Sequence, residues 1–425
     1  MLLILALCIF IAVFYCIITE KIPTPWATML GGLTMSLLGI INQEEALEAI
    51  SERLEILFLL IGMMMIVLLI SETGIFQWFA IKVAQLVRGE PFSLIILLCT
   101  ITALCSAFLD NVTTILLMAP VSILLAKQLK LDPFPFVISE VMAANIGGLA
   151  TLIGDPTQLI IGAEGNLNFN QFLMNTAPVS ILSMISLLFT VYFMYGKKMQ
   201  VSHELKARIM ELDSSRSLKE PTLLKLAGSI FALVILGFIL NNFINKGLAI
   251  ISLAGAFYLV VLAKRKPKEI FENLEWETLF FFIGLFMMIK GIEELNVMEI
   301  IGQQLVHITE GNFPLAMFSI TWISAIFTSI IGNVANAATM SKIIQVMIPS
   351  FNSLGDTSHF WWALSFGSCL GGNISLLGSA TNVVAVGAAT KAGCKIDFVK
   401  FLKFGSIIAL ENLIIASLYI FFRYL

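Results

Sequence analysis

Four short polar motifs interrupt an otherwise apolar chain of 425 residues, and they form two matched pairs. Residues 110–114 read Asp-Asn-Val-Thr-Thr, and residues 332–336 read Gly-Asn-Val-Ala-Asn. Residues 154–157 read Gly-Asp-Pro-Thr, and residues 378–381 read Gly-Ser-Ala-Thr. Small residues let the backbone turn, while amide, hydroxyl and free backbone groups bind ions and polar solutes where a membrane helix breaks. The motifs therefore predict a solute site built from two pairs of broken membrane segments.

Two of these motifs carry a carboxylate that its counterpart lacks. Asp110 and Asp155 in the first half correspond to Gly332 and Ser379 in the second. Ionisable groups deep in a membrane are functional candidates, and two neighbouring carboxylates can bind Na⁺ or carry a proton. We therefore predict that both aspartates bind the coupling ion. The alternative is that each aspartate only caps the helix that follows it.

Of the other charged residues inside predicted membrane segments, Lys342 and Glu140 are the two candidate charge partners. Lys342 stands where the first half has Pro120, and it could neutralise a cation site, pair with an aspartate or attract an anion. It could equally extend its ammonium group to the membrane surface. Glu140 could serve the site or simply face a neighbouring helix.

Composition places the chain in a membrane. Hydrophobic residues make up 58% and charged residues 12%, whereas a soluble domain carries about 25% charged residues. Apolar runs long enough to cross a bilayer recur from end to end, and the first of them is expected to be a retained span. The sequence has no nucleotide-binding loop, metal-ligand cluster or Ser/His/Asp constellation. We predict a protein that is not an enzyme, with no cofactor and no nucleic-acid partner, whose ATPase, if it has one, is a separate chain.

An internal repeat with an offset of 222 to 224 residues divides the chain. Residues 55–62 resemble residues 277–284, and residues 147–158 resemble residues 371–382. Matches that keep their order and spacing indicate a duplication. The predicted domains are a first repeat (1–195), a cytoplasmic linker (196–224) and a second repeat (225–425).

Each repeat reads as five membrane spans plus a re-entrant hairpin, with one span broken. The predicted segments are 2–19, 24–42, 55–72, the hairpin 92–109 with 112–126, 134–163 and 175–195, then 225–243, 246–263, 277–292, the hairpin 313–331 with 333–349, 360–390 and 402–423. An odd number of spans inverts the second repeat relative to the first. With both termini outside, 20 of the 25 Lys and Arg residues fall on the cytoplasmic side, as the positive-inside rule requires. The predicted fold is an all-α, multi-pass inner-membrane protein with inverted repeats.

Several stretches of the first half resemble the P-protein branch of the ion transporter superfamily. They are residues 71–76, 106–114, 131–133, 139–141 and the segment 145–156, which contains Asn-Ile-Gly-Gly and Ile-Gly-Asp-Pro. The superfamily also includes arsenite efflux pumps, sodium/proton antiporters of the NhaD type and divalent-anion/sodium symporters. The resemblance implies a fixed scaffold, a mobile region that moves like an elevator, and a homodimer.

The resemblance also implies which residues form the site. Besides Asp110 and Asp155, the implied substrate-binding residues are Asn111, Thr113, Thr114, Asn145, Gly154, Thr157, Asn333, Asn336, Ser379, Thr381 and Asn382. The dicarboxylate symporters carry Ser-Asn-Thr at each hairpin tip, whereas this chain has Asp-Asn-Val and Gly-Asn-Val, which argues against dicarboxylates.

We therefore predict a proton- or sodium-coupled carrier of a small inorganic solute in the lipid bilayer, with arsenite or antimonite efflux as the leading hypothesis. Arsenite is largely neutral As(OH)₃ at neutral pH, which suits amide and hydroxyl ligands. The alternatives are a sodium/proton antiporter, an anion channel or conductance, and a dicarboxylate symporter.

Overall fold

The computed structural model describes residues 2–19, 21–196, 199, 201–211, 213–244 and 246–425, and these residues form helices and no strands. Lys197 and Lys198, which we counted among the basic residues of the linker, lie outside the described residues. The all-helical prediction is confirmed.

Eleven helices precede the linker. They are α1 (Leu2–Ile18), α2 (Thr24–Leu37), α3 (Gln43–Ser51), α4 (Leu54–Glu72), α5 (Ile75–Leu86), α6 (Pro91–Ser106), α7 (Asn111–Gln128), α8 (Phe134–Gly148), α9 (Pro156–Glu164), α10 (Phe169–Asn175) and α11 (Ala177–Tyr195). In the described part of the linker, α12 (His203–Met210) is followed by a 3₁₀ turn at Ser214–Ser217.

The remaining helices follow the linker. They are α13 (Pro221–Ile239), α14 (Asn241–Ile244), α15 (Leu248–Leu262), α16 (Pro267–Glu272), α17 (Trp276–Glu293), α18 (Val297–Ile308), α19 (Phe313–Ile331), α20 (Asn333–Phe351), α21 (His359–Gly371), α22 (Ala380–Lys391) and α23 (Phe398–Tyr424). A 3₁₀ turn at Leu376–Gly378 precedes α22.

Six of the described helices are long and apolar enough to cross a membrane: α4, α7, α11, α13, α19 and α23. Two of these six helices, α7 and α19, are arms of the predicted hairpins. Length and composition alone therefore do not distinguish a full span from the arm of a hairpin. α11 and α13 are buried over only 28% and 22% of their apolar windows. Their outward residues, such as Phe193 and Leu233, are exposed and suited to lipid.

The core is formed by α8 and α21, which are buried along almost their whole length. α8 lies against α6, and α21 lies against α19 in the same way. Gly147 and Gly371 permit this contact, since an added Cβ would lie 2.2 Å from the Ala103 carbonyl oxygen and 2.5 Å from the Ala325 Cα, respectively. In a second group of helices, each helix packs against one from the other half of the chain: α4 lies on α15, and α17 lies on α2.

Both predicted breaks are present. α8 ends at Gly148 and α9 begins at Pro156, while α21 ends at Gly371 and α22 begins at Ala380. The predicted span 24–42 is shorter than expected, because the helix ends at Leu37 and the chain turns at Gly39 with φ +73° before α3 begins.

Candidate functional site

The second helix of each broken pair begins at a capped residue. Asp155 accepts a hydrogen bond from the Thr157 backbone N–H at 2.8 Å, and Ser379 accepts one from the Thr381 N–H at 3.3 Å. Both capping residues have similar extended backbone angles. Asp110 caps α7 in the same way, through the Thr113 N–H at 2.8 Å. Both aspartates therefore cap the helix that follows them.

Asp155 has more partners than a cap requires. Its Oδ2 accepts hydrogen bonds from Asn111 Nδ2 at 2.7 Å and from Asn333 Nδ2 at 3.0 Å, and Asn333 Nδ2 lies 3.2 Å from Oδ1. All three side chains are buried. Asn111 begins α7 and Asn333 begins α20, so one carboxylate joins the tips of both predicted hairpins to the first break.

Asn145 connects this carboxylate cluster to the second break. Its Nδ2 donates to Asn373 Oδ1 at 2.8 Å and to Asn382 Oδ1 at 2.9 Å. Its Oδ1 accepts from Asn111 Nδ2 and from Ser379 Oγ, both at 3.2 Å. The structure thus brings predicted residues of both halves into one network, which also includes Asn373, a residue that the sequence analysis missed.

The other predicted residues lie around this network. Asn336 Nδ2 donates to Ser368 Oγ at 2.8 Å, outside the Asp155 cluster. Gly154 is in close contact with the Ser106 and Gly148 carbonyl oxygens, which would lie 2.7 and 2.8 Å from an added Cβ. Of the predicted substrate-binding residues, Thr114, Thr157 and Thr381 have buried hydroxyls with no hydrogen-bond partner in the geometry of the described residues.

A small cavity of about 40 Å³ lies beside the tip of the first hairpin. That volume can hold one or two water molecules or a desolvated small ion. Its polar lining residues are Asp110, Glu275 and Thr278; its apolar lining residues are Leu59, Leu60, Met63, Met64, Val67, Val112, Ile153, Pro156 and Leu159. Thr113 Oγ1 donates to Glu275 Oε1 at 3.1 Å, so a predicted site residue contacts this second carboxylate directly.

Sequence reasoning missed Glu275 because it lies just before the predicted span 277–292, among other glutamates. Its repeat counterpart is Arg53, a charged residue at the start of α4. A charged residue at the same position of both repeats was the sequence signal that could have identified Glu275.

The two candidate charge partners lie away from the aspartates. Lys342 Nζ lies 3.3 Å from Glu164 Oε2 and 3.6 Å from Glu293 Oε1. Glu140 Oε1 accepts from Ser122 Oγ at 2.7 Å and Thr102 Oγ1 at 3.3 Å, and its Oε2 has no partner among the described residues. Glu140 therefore links α6, α7 and α8.

The arrangement can hold a proton or a small cation. Two carboxylates, Asp110 and Glu275, face one cavity, and Asp155 is surrounded by neutral donors. Among the described residues, no group of three His, Cys, Asp or Glu side chains could hold a metal ion. Cys369 lies beside the site, with Sγ 3.2 Å from the Asn145 carbonyl oxygen and 3.9 Å from Asp155 Oδ2.

Comparison with known proteins places the chain among membrane transporters. The family model described as "Citrate transporter" matches residues 14–367. An uncharacterized transporter of Mycobacterium bovis is 32% identical over 423 residues, covering 99% of this chain and 98% of the relative. A 46 kDa membrane protein of Mycobacterium leprae is also 32% identical, covering 99% of each chain.

The human P protein is 31% identical over 481 aligned residues, which cover 94% of this chain and 57% of the P protein. The chain thus spans somewhat more than half of that relative. The family and the relatives named as transporters are not enzymes, which confirms the prediction of a non-enzyme. With its apolar helices and its match to the family over residues 14–367, this chain is a multi-pass membrane transporter and belongs to the citrate transporter family, CitMHS.

Proposed function

We propose that this transporter is a cation-coupled carrier of a small inorganic solute, with the Asp155 carboxylate as its coupling group. The observation that carries the proposal is the position of Asp155, which binds Asn111 and Asn333 at the tips of the two predicted hairpins. A proton or Na⁺ arriving at this carboxylate would compete with both amide donors. Binding of the coupling ion would thereby change the contact between the hairpins.

Two inverted repeats are the proposed framework, and paired contacts support them. Thr151 Oγ1 donates to the Ala107 carbonyl oxygen, and its repeat counterpart Ser375 donates to the Ser329 carbonyl oxygen. The exchange of α4 and α17 between the halves follows the same pairing. In our proposal both termini are periplasmic, the linker is cytoplasmic, and the protein lies in the inner membrane as a homodimer.

The proposed motion is elevator-like. Helices α2, α4, α15 and α17 would form the scaffold, and the hairpins with the two broken helix pairs would move. The cavity beside Asp110 lies between these groups, because α4 and α17 line one side of it and the first hairpin tip lines the other. The cavity would have to widen to hold a solute larger than one or two water molecules, and we propose that separation of the two groups widens it.

Arsenite, or its antimony analogue, remains the proposed solute of first choice. As(OH)₃ is neutral, and the cavity offers carboxylate and hydroxyl groups that can accept or donate hydrogen bonds to it. The name of the family suggests citrate instead, and a dicarboxylate is a related alternative. No Lys, Arg or His is among the residues that line the cavity, and the two carboxylates there would repel a polyanion.

Sodium/proton exchange is the second candidate, and a specific observation favours it. Asp110 and Glu275 share a cavity sized for a small ion, and Thr113 contacts both of them. Oxygen ligands of this kind suit Na⁺ as well as a proton. An anion conductance is less well supported, since Lys342 is paired with two glutamates.

Purified protein in liposomes containing a pH-sensitive dye tests the proposal. Na⁺, Li⁺, arsenite, succinate and citrate are added in turn to the wild type and to Asp155→Asn. Arsenite-dependent proton movement that is lost in the variant supports the first candidate, whereas movement on adding Na⁺ or Li⁺ supports the second. A response to citrate or succinate alone, or normal transport by Asp155→Asn, would contradict the proposal.

The matched control is Asn168→Ala. Asn168 caps α10 by accepting from the Gln171 N–H at 2.9 Å, and its hydrogen bonds in the described structure join it to Gln171 and not to the site network. Its replacement should remove about 1 kcal/mol of helix capping and leave proton movement unchanged. This control separates loss of a cap from loss of the coupling carboxylate.

A further inference from the structure

A charged cluster outside the proposed site surrounds Glu164, the last residue of α9. Arg53 Nη2 lies 2.6 Å from Glu164 Oε1, Lys342 Nζ lies 3.3 Å from Oε2, and Gln345 Nε2 donates to Oε2 at 2.8 Å. Lys342 also reaches Glu293 at the end of α17. Three donors therefore hold one carboxylate: Lys342 and Gln345 on α20, and Arg53 immediately before α4.

This cluster is largely removed from solvent. The side chains of Arg53, Glu164 and Lys342 are 6%, 11% and 12% exposed. Arg53 also donates from Nη1 to the Ala49 carbonyl oxygen and has its guanidinium 5.1 Å from the centre of the Phe286 ring. Buried charges are tolerated when paired in this way, and removing one partner leaves the other unpaired at a high energetic cost.

The cluster joins the two groups of helices that transport would have to separate. Arg53 immediately precedes α4 and Glu293 ends α17, and these helices belong to the proposed scaffold. Glu164 and Lys342 lie on α9 and α20, the helices that begin next to Asp155 and at Asn333. The bridges therefore cross the boundary between scaffold and mobile group.

The opposite end of the molecule has no equivalent cluster at the corresponding positions. The repeat offset pairs Arg53 with Glu275, Glu164 with Ala388 and Lys342 with Pro120. Glu275 contacts Thr113 near the tip of the first hairpin, whereas Arg53 meets the mobile group at the far end of α9. The two ends are thus built differently, although the helices that form them are repeated.

We propose that Arg53, Glu164 and Lys342 form an ionic latch that closes the site toward the membrane face where α9 ends. The latch rests on the proposed function, because it presupposes a mobile group. When the latch is closed, the site is shielded from that face. Opening toward that face requires the Arg53–Glu164 and Lys342–Glu293 bridges to break together.

Native Cys369 reports on the state of the latch. It is buried 3.9 Å from the Asp155 carboxylate. The other five cysteines (Cys8, Cys16, Cys99, Cys105 and Cys394) are replaced by alanine, and the full chain is placed in liposomes in a known orientation. A membrane-impermeant thiol reagent is then added to one face at a time, and the rate of Cys369 labelling is measured.

Two latch variants are compared with this background, Glu164→Gln and the double variant Arg53→Gln with Glu164→Gln. The double variant removes both charges, so neither is left buried and unpaired. We expect labelling of Cys369 from the face where α9 ends to become about tenfold faster, as a shift of the closed population implies. Labelling from the opposite face should stay the same or become slower.

The matched control is Lys290→Met. Lys290 forms bridges of 3.4 Å to Glu48 and 3.2 Å to Glu294 at the same end of α17, but it joins α17 to α3 and to itself rather than to the mobile group. This variant should leave labelling unchanged. Equal acceleration from both faces, or acceleration in the control, would show general loosening and overturn the latch.

Labelling needs no transported solute, so the two proposals can fail separately. A face-specific increase in a protein that moves none of the tested solutes supports the latch and rejects the proposed substrates. Unchanged labelling in both variants of an active transporter rejects the latch alone.

Discussion

At the scale of single residues, the contrast between Asp155 and Ser379 shows how a repeated cap differs between the two halves, and this difference is the basis of the proposed site. Both residues begin a helix with the same backbone conformation and accept from the N–H two positions later. The serine hydroxyl has one further interaction, to Asn145. The aspartate has a second oxygen and a charge, which hold Asn111 and Asn333. Capping alone would not require a carboxylate that reaches both hairpin tips.

Glu275 offers a test at this scale. We expect Glu275→Gln to slow proton-coupled transport about tenfold, a size typical of coupling between sites, and to make the rate less dependent on pH. The physical reason is that one of the two titrating groups in the Asp110 cavity is removed while the shape of the side chain is kept. Liposome assays over a range of pH measure this effect.

Glu277→Gln is the control for that experiment, because Glu277 is an exposed carboxylate in the first turn of the same helix and does not line the cavity. An unchanged pH profile in Glu275→Gln, or an equal change in both variants, would remove Glu275 from the proposed mechanism.

At the scale of elements, the broken helices are held by close backbone contact. Gly147 and Gly371 lie on the faces of α8 and α21 that meet α6 and α19. Contacts this close fit the proposal that each hairpin moves together with its neighbouring broken helix. The loop residues Thr151 and Ser375 reinforce the contact by donating to carbonyl oxygens of the hairpin.

We expect Gly147→Ala and Gly371→Ala each to destabilise the protein by about 1–3 kcal/mol, the usual range for overpacking. Each new methyl group would lie within 2.5 Å of the neighbouring backbone. Thermal unfolding in detergent measures the effect.

Gly387→Ala provides the comparison, since an added Cβ there has no atom within 4 Å. It should be neutral or stabilising by up to about 1 kcal/mol, because alanine favours a helix over glycine. Similar melting temperatures for all three variants would show that the contacts of Gly147 and Gly371 are loose.

At the scale of the whole molecule, the arrangement of buried and exposed apolar surface fits a bilayer. α8 and α21 form the interior, while α11 and α13 expose large apolar side chains along their outer faces. This surface does not determine the membrane orientation. The orientation depends on whether α6 and α7 together form a re-entrant hairpin or cross the membrane once.

Cysteine labelling in intact cells tests this orientation. In a background without native cysteines, Glu90→Cys and Asp132→Cys flank the first hairpin, and Ser215→Cys lies in the linker. We expect all three to be protected from an impermeant reagent and Ser353→Cys, after α20, to be labelled. The reason is that a re-entrant hairpin returns the chain to the face from which it entered.

Detergent permeabilisation should expose all four sites equally, which controls for reactivity. Labelling of Asp132→Cys but not of Glu90→Cys in intact cells would mean that α6 and α7 together cross the membrane once, instead of returning to the same face. The inverted repeat would then be wrong.

The sequence by itself was sufficient to predict an all-helical membrane transporter with two helix breaks. These features depend on composition and on local patterns, since apolar runs, glycines and capping residues act on their own segment. The duplicated motifs also led directly to Asp155, Asn111 and Asn333. A rare polar pattern that occurs twice within apolar segments indicates candidate site residues even before their contacts are known.

Only the tertiary structure decided which of these groups meet. Asn333 and Asp155 are 178 residues apart, and Thr113 and Glu275 are 162 residues apart. Lys342 could have joined an aspartate, yet it pairs with Glu164 and Glu293. The partner of a buried charge is a group on a neighbouring helix. Which helices are neighbours depends on how segments distant in the sequence pack together and not on the local sequence.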